Sequence, residues 1–299
     1  MSIPLQLVTG FLGSGKTTFL KNYLGTFSGK RKIGVIQNEF SESNIDGQEL
    51  RQKKLDFKLL EINNGSVFCV CLLGSFVESL AAFVDRYQPD ELIMEASGMS
   101  DPLSVGQIFQ SSMLKNKVYL DRVWCMVDAL NFGKIVGLQT RIAHQIRIAD
   151  TIIINKTDLV GDTLSDVILQ VKNLNPFAET LPTTYSNVDF TRNKKVMKFF
   201  PANEKAENGR PDLQSVVIKT SRLITFENLD VFLKTCISDS IRGKGYINLV
   251  SGEKMFLRSS FDEYTLQKVD QFLAPTEFVL IGNFQEKHQN QKLFENLCE

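Results

Sequence analysis

The sequence predicts an α/β chain: a mostly parallel sheet covered by helices, followed by a small α+β domain. Three observations carry this. Short apolar segments alternate with helix-like ones from the N-terminus to about residue 185. These segments are apolar throughout rather than at every second position, as strands buried on both faces must be. A polar stretch over 188–213, punctuated by Pro201 and Pro211, then separates this rhythm from a second, shorter one.

Ile3–Thr9 reads as a strand running into glycine, and Lys16–Phe27 as a helix. Lys32–Gln37 and Phe57–Ile62 are the next strands. Phe76, Leu80, Phe83 and Val84 recur at three-to-four spacing, which predicts an amphipathic helix over 75–87, closed by Pro89. Glu91–Met94, Val118–Val127 and Thr151–Ile154 complete the first set of strands. Residues 1–187 are therefore expected to form one domain, 188–213 a linker or surface excursion, and 214–299 a second domain. In the latter the order is strand Ser215–Thr220, helix Phe226–Cys236, strands Tyr246–Val250 and Met255–Ser259, strand Glu277–Ile281 and helix Glu286–Leu297.

Composition narrows the class. Of 299 residues, 43% are hydrophobic and 23% charged, which is ordinary for a globular protein and argues against disorder. Thirty-four basic residues balance 34 acidic ones, so net charge supplies no attraction to nucleic acid or an acidic membrane. No apolar run approaches the ~20 residues that span a bilayer. The start, Met-Ser-Ile-Pro-Leu, lacks a signal peptide's basic and apolar regions. The five cysteines, Cys69, Cys71, Cys125, Cys236 and Cys298, are one tight pair and three scattered residues, which is no disulfide framework. A soluble cytoplasmic protein in a reducing compartment is expected.

Gly10-Phe11-Leu12-Gly13-Ser14-Gly15-Lys16-Thr17 fits G-x-x-x-x-G-K-[ST] and lies between a predicted strand and a predicted helix. Gly10, Gly13 and Gly15 let the backbone turn tightly and approach a phosphate. Successive N–H groups at Ser14 to Thr18 and the positive helix end would bind phosphate oxygens. Lys16 would reach the β- and γ-phosphates, and the Thr17 hydroxyl would ligate Mg²⁺. This is the phosphate loop of a P-loop NTPase.

Asn155-Lys156-Thr157-Asp158 follows the strand Thr151–Ile154. A carboxylate at Asp158 can accept two hydrogen bonds from the N1–H and exocyclic amine of guanine. Adenine offers no such pair, so GTP is the expected nucleotide. The Lys156 stem can cover the base. Glu95-Ala96-Ser97-Gly98 ends the strand Glu91–Met94, where an acid followed by glycine suits a segment sensing Mg²⁺ and γ-phosphate. Gly98 can turn its N–H to the γ-phosphate and release it on hydrolysis. No glutamine follows Gly98 to orient water, so hydrolysis is expected to be slow without a partner. Asn38-Glu39-Phe40 follows another strand end, facing the nucleotide crevice.

Cys69-Val70-Cys71 lies just before the predicted 75–87 helix. A helix start lowers thiol pKa values, and two thiolates can chelate a borderline cation, although a tetrahedral site needs two more ligands. Glu39 is a candidate; two buried core thiols are the other reading. His144 reads as an ordinary helix residue and His288 as surface.

The joint pattern resembles the CobW-type GTPases, relatives of the urease and hydrogenase nickel-insertion GTPases. The matching residues are Thr9 to Thr18, Asn38-Glu39-Phe40, Asn64-Gly65, Glu95 to Pro102, Val127-Asp128-Ala129, Ala149 to Asp158 and Leu174 to Ala178. The last part of the chain is similar to the small CobW C-terminal domain. The resemblance implies a GTP-hydrolysing protein that delivers Zn²⁺, Co²⁺ or Ni²⁺ to a client metalloenzyme or cofactor protein, with a nucleotide-dependent dimer among its arrangements. It also implies a metal site built from Glu39 and the cysteines. The family pattern N-G-C-x-C-C stands here as Asn64-Gly65-Ser66-Val67-Phe68-Cys69, and sliding Cys69-Val70-Cys71 onto C-x-C places Leu72 at the third thiol. One thiol at least is lost. A GTPase that reactivates a cofactor enzyme without metal cargo is the second reading. A small-molecule kinase is the third, and Asn155 and Asp158 count against it.

Overall fold

The computed structural model describes residues 2–38, 57–62, 70–96, 111–114, 116–136, 140–190, 214–236, 240–260, 263–269, 275–282, 284 and 287–299. The chain divides into two compact units, Met1–Pro201 and Ala202–Glu299.

The first unit contains β1 (Ile3–Gly10), α1 (Lys16–Phe27), β2 (Ile33–Asn38), β3 (Phe57–Ile62), α2 (Val70–Tyr87), β4 (Glu91–Glu95) and β5 (Val118–Asp128). It continues with α3 (Phe132–Val136), α4 (Thr140–Ile148), β6 (Thr151–Asn155), α5 (Leu164–Leu174) and β7 (Glu179–Pro182). The strands form one sheet in the order β3-β2-β4-β1-β5-β6-β7. Every pairing is parallel. All five residues of β4 and of β6 are buried. That explains their unbroken apolar character: helices cover both faces, so neither face is left for polar side chains. The mostly parallel, helix-covered sheet expected from the sequence is the fold observed.

Helix α1 buries Phe19, Leu20, Tyr23, Leu24 and Phe27 against Val8, Ile33, Val35, Trp124 and Ile153. Val188 and Phe190, at the start of the segment read as an excursion, belong to this core. The Phe190 ring lies 5.2 Å from Phe19 and 5.1 Å from Tyr23, edge to face in both cases. At the opposite end of the sheet from the phosphate loop, the Tyr23 hydroxyl donates to Glu91, which also pairs with Arg31 at 3.1 Å. Burial raises the Glu91 carboxyl, and those two donors oppose the rise.

Helix α2 begins at Val70, earlier than the 75–87 periodicity suggested. Its first residues, Val70-Cys71-Leu72-Leu73, are apolar at every position, so no polar face marks the boundary, and Gly74-Ser75 interrupts the run. Asn175, in the Leu174–Ala178 stretch, ties the end of α4 to β7. Its Nδ2 donates to the carbonyls of Ile146, Arg147 and Ala149 at 2.7–3.0 Å, and its Oδ1 accepts from the N–H groups of Phe177 and Ala178. The two Nδ2 hydrogens are shared among three carbonyls while Oδ1 accepts twice, a pattern that needs a group able to donate and accept at once.

The second unit runs β8 (Gln214–Thr220), α6 (Phe226–Cys236), β9 (Ser240–Asn248), β10 (Lys254–Ser260), β11 (Glu263–Lys268), β12 (Thr276–Gly282) and α7 (Lys287–Leu297). Its sheet, β11-β10-β9-β12-β8, is antiparallel throughout. Phe232, Phe278 and Phe294 centre its core, with ring centroids 5.0–5.9 Å apart. Strand β11 and the first residues of β9 were not anticipated. Strand β11 is polar at most positions, as an edge strand can be, and β9 opens on Ser240-Ile241-Arg242-Gly243 rather than on apolar residues. Among the described residues, no helix is long and apolar enough to cross a membrane.

Candidate functional site

The site is assembled at the carboxyl edge of the parallel sheet, where open α/β folds place their ligands. Strand β1 ends at Gly10, which has a φ of 135° and lies so close to Met126 that a Cβ would collide with its backbone. The loop then turns through Gly13 and Gly15, with φ of 74° and 102°. Helix α1 starts immediately, at Lys16, with no side chain capping its first N–H groups. Unsatisfied amides and a positive helix end suit phosphate oxygens. Ser14 Oγ donates to the Phe11 carbonyl at 2.7 Å and braces the loop from inside. Lys16 is only 7% exposed, and its Nζ donates to the carbonyls of Gly10 and Phe11 at 3.1 and 3.2 Å. The ammonium is thus held across the loop mouth. Thr18 is half-buried in the first turn of α1.

Thr17 Oγ1 donates to Glu95 Oε1 at 3.4 Å, joining the helix start to the end of β4. Glu95 Oε2 accepts from Gln37 Nε2 at 3.3 Å. Parallel register sets Gln37 beside Glu95 and, on the other side of β1, Asp128 beside Asn155. One hydroxyl and one carboxylate side by side are a suitable pair of hard oxygen ligands for Mg²⁺.

Asn155 is buried. Its Nδ2 donates to the Ser14 carbonyl at 2.9 Å, and its Oδ1 accepts from Ser186 N at 2.9 Å. Ser186 Oγ closes the triangle by donating to the Gly15 carbonyl at 3.0 Å. A Cβ at Gly15 would strike the Asn155 amide, so glycine is required there for packing as well as for φ. Lys156 sits in the left-handed region at φ 63°, and its Nζ pairs with Asp128 Oδ2 at 2.7 Å. Asp128 also accepts from Leu130 N, Asn131 N and Asn131 Nδ2. Burial would raise the Asp128 carboxyl, but the Lys156 and Asn131 donors outweigh it and hold it below the usual range. Asp158 lies exposed in the short turn Thr157–Leu159.

Residues 4–182 match the CobW/HypB/UreG nucleotide-binding domain, more than half of the chain. The chain belongs to the CobW/HypB/UreG family. As a member of it, this CobW-type chain is a P-loop GTPase. It is 28% identical over 266 residues to the zinc chaperone YjiA of Escherichia coli (strain K12), a match covering 82% of this chain and 81% of that protein. It is 30% identical over 185 residues to the zinc chaperone CobW of a Sinorhizobium species, covering 53% and 52% of the two. The crystal structure of Zn(II)-bound YjiA GTPase superposes along the whole length of both chains, with a TM-score of 0.68 at 21% identity.

Of the residues singled out in the sequence, Gly10, Gly13, Ser14, Gly15, Lys16, Thr17, Thr18, Glu95, Asn155, Lys156 and Asp158 all lie at this edge of the CobW-type sheet. Glu39, Cys69 and Gly98 lie outside the described residues, and Cys71 falls in the first turn of α2 rather than before a helix. Among the described residues, no group of three or more His, Cys, Asp or Glu is placed to hold a metal ion. Cys125, Cys236 and Cys298 are buried and in no disulfide. Burial pushes the Cys125 thiol up to about 12, which makes it a poor ligand. Sequence reasoning gave no role to Gln37 or Ser186, and met Asp128 only within the Val127–Ala129 match. The signal for Gln37 and Asp128 was available: each is a polar residue at the end of an apolar strand. Ser186 follows Tyr185, and both hold positive φ, of 53° and 50°. No motif marks them.

Proposed function

We propose that this chain uses GTP binding and hydrolysis to control the holding and release of a transition-metal ion, zinc in the first instance, for a client metalloenzyme or cofactor protein. The observation that carries the nucleotide half is the Asn155 clasp, which joins the phosphate loop to the N-K-x-D turn through Ser14 and Ser186. A base-reading turn rigidly tied to a phosphate-binding loop is the arrangement a nucleoside triphosphate needs. In this reading the loop amides of Gly13 to Thr18 and Lys16 hold the phosphates. Asp158 accepts from guanine, and the Lys156 stem covers the base. Thr17 and Glu95 hold Mg²⁺, which when bound offsets phosphate charge. Gly98 is the residue proposed to sense the γ-phosphate.

The metal half rests on chemistry and kinship. Relatives of this chain carry the name zinc chaperone, and others are named zinc-regulated GTPase metalloprotein activators. Glu39, Cys69 and Cys71 are the residues proposed to hold the cargo, with Co²⁺ and Ni²⁺ as alternatives to zinc. Segments 39–56 and 97–110 follow β2 and β4, the strands that carry Gln37 and Glu95, so nucleotide state can reach the cargo site through them. A nucleotide-dependent dimer fits the same scheme. Isothermal titration with Zn²⁺, in the presence and absence of a non-hydrolysable GTP analogue, tests the coupling. Affinities differing by fivefold or more are expected, and equal affinities would remove it.

The loss of a third thiol, with Leu72 in its place, favours a second reading, in which the GTPase acts on a cofactor enzyme without carrying metal. A Cys69→Ser, Cys71→Ser double variant then keeps full function, whereas the metal reading requires its loss.

A further inference from the structure

The interior of β2 is apolar, with Ile33, Val35 and Ile36 all buried, until Gln37. Gln37 is 4% exposed, and its two amide atoms have different fates. Nε2 donates to Glu95 Oε2 at 3.3 Å in a buried setting. Oε1 is buried and has no hydrogen-bond partner among the described residues. The orientation is dictated by chemistry: only the NH₂ end can face a carboxylate, because the carbonyl would set oxygen against oxygen. The carbonyl is therefore committed to whatever lies on its other side.

An unpaired buried carbonyl is costly, and native proteins keep few of them. A Met or Leu would fill this position in an apolar strand at no such cost. The Glu95 carboxylate to which Gln37 is tied also accepts from Thr17. These are the two groups assigned above to Mg²⁺. This small ion sheds its waters reluctantly and keeps several of them when bound by one or two protein oxygens. Those waters are strong donors in need of acceptors. A glutamine supplies an acceptor without the repulsion that a second carboxylate beside Glu95 would bring.

We propose that Gln37 is a positioning residue for the divalent cation of the nucleotide: its N–H group fixes the Glu95 carboxylate, and its buried carbonyl accepts a hydrogen bond from a cation-bound water. This rests on the assignment of Thr17 and Glu95 to Mg²⁺. It adds a residue outside the phosphate loop, on the strand that leads into Asn38 and Glu39, to the groups that respond to the loaded nucleotide.

The test is a Mg²⁺ titration of fluorescent GTP-analogue binding to the full chain, with binding in EDTA as the reference and thermal melting as a check on folding. In Gln37→Met, of similar shape but without polar atoms, the Mg²⁺ concentration giving half the gain in affinity rises about tenfold, while affinity in EDTA is unchanged. If the methionine variant does not fold, Gln37→Asn withdraws both groups by one methylene and shows the same rise. An unchanged requirement in Gln37→Met overturns the proposal. So does an equal loss of affinity in EDTA, which would trace the effect to packing. If Mg²⁺ fails to strengthen GTP binding even in the natural chain, the assignment of Thr17 and Glu95 falls, and this inference falls with it.

Discussion

At the scale of single residues, the site separates groups that touch a nucleotide from groups that hold those groups in place. Asn155 belongs to the second class. Among the described residues its side-chain bonds go to loop backbone, at Ser14 and Ser186, so the first residue of the N-K-x-D turn acts as a clasp. Asp158 is the side chain free to face a base. Replacing it with asparagine exchanges a double acceptor for one acceptor and one donor. Asp158→Asn is expected to lower the preference for GTP over ATP on the order of 10²-fold, read from competition binding of the two nucleotides. An unchanged ratio would remove Asp158 from base reading. Asp128 makes a pH prediction. Its carboxyl is held below its ordinary value of 3.8 in the folded chain. A depressed carboxylate stabilises the fold above the unfolded value, and that contribution is lost as pH falls through the folded one. Asp128→Asn should therefore cost ~1–2 kcal/mol at pH 7, because the charge-assisted bond to the half-exposed Lys156 is lost. The gap between variant and natural chain should close in urea melts taken toward pH 3.

At the scale of elements, the phosphate loop is only as rigid as the helix behind it. Helix α1 is anchored by Phe19, Tyr23 and Phe27, and these rings are closed over by Phe190, which contacts all three as well as Trp124. Phe190 is partly buried, so Phe190→Ala is expected to destabilise by ~1–2 kcal/mol, with Phe190→Leu recovering about half, measured by chemical denaturation. No change in stability would mean that residues after β7 contribute nothing to the nucleotide-binding unit. The same element-level view explains where sequence periodicity stopped short. Helix α2 runs from Val70, but its first turn is apolar at every position and is followed by Gly74-Ser75, so no polar face marked its N-terminal boundary. Edge strand β11 was missed because half its side chains meet solvent.

At the scale of the whole molecule, the seven-stranded parallel sheet does one thing no local segment can. It lays the ends of β2, β4, β1, β5 and β6 side by side, so that Gln37 meets Glu95 and Asp128 meets Asn155. The sequence by itself determined the phosphate loop, the N-K-x-D turn and the layered α/β class. Each is encoded in consecutive residues: glycines at fixed spacing before a helix, a polar turn after a buried strand, apolar runs of strand length. Only the tertiary structure decided that Ser186 locks Asn155 to Gly15, that Lys156 is drawn to Asp128, and that a glutamine on β2 shares the carboxylate of β4. Those contacts join residues far apart in the chain. Parallel pairing through crossover helices sets their register, and no spacing along the sequence records which strand ends become neighbours.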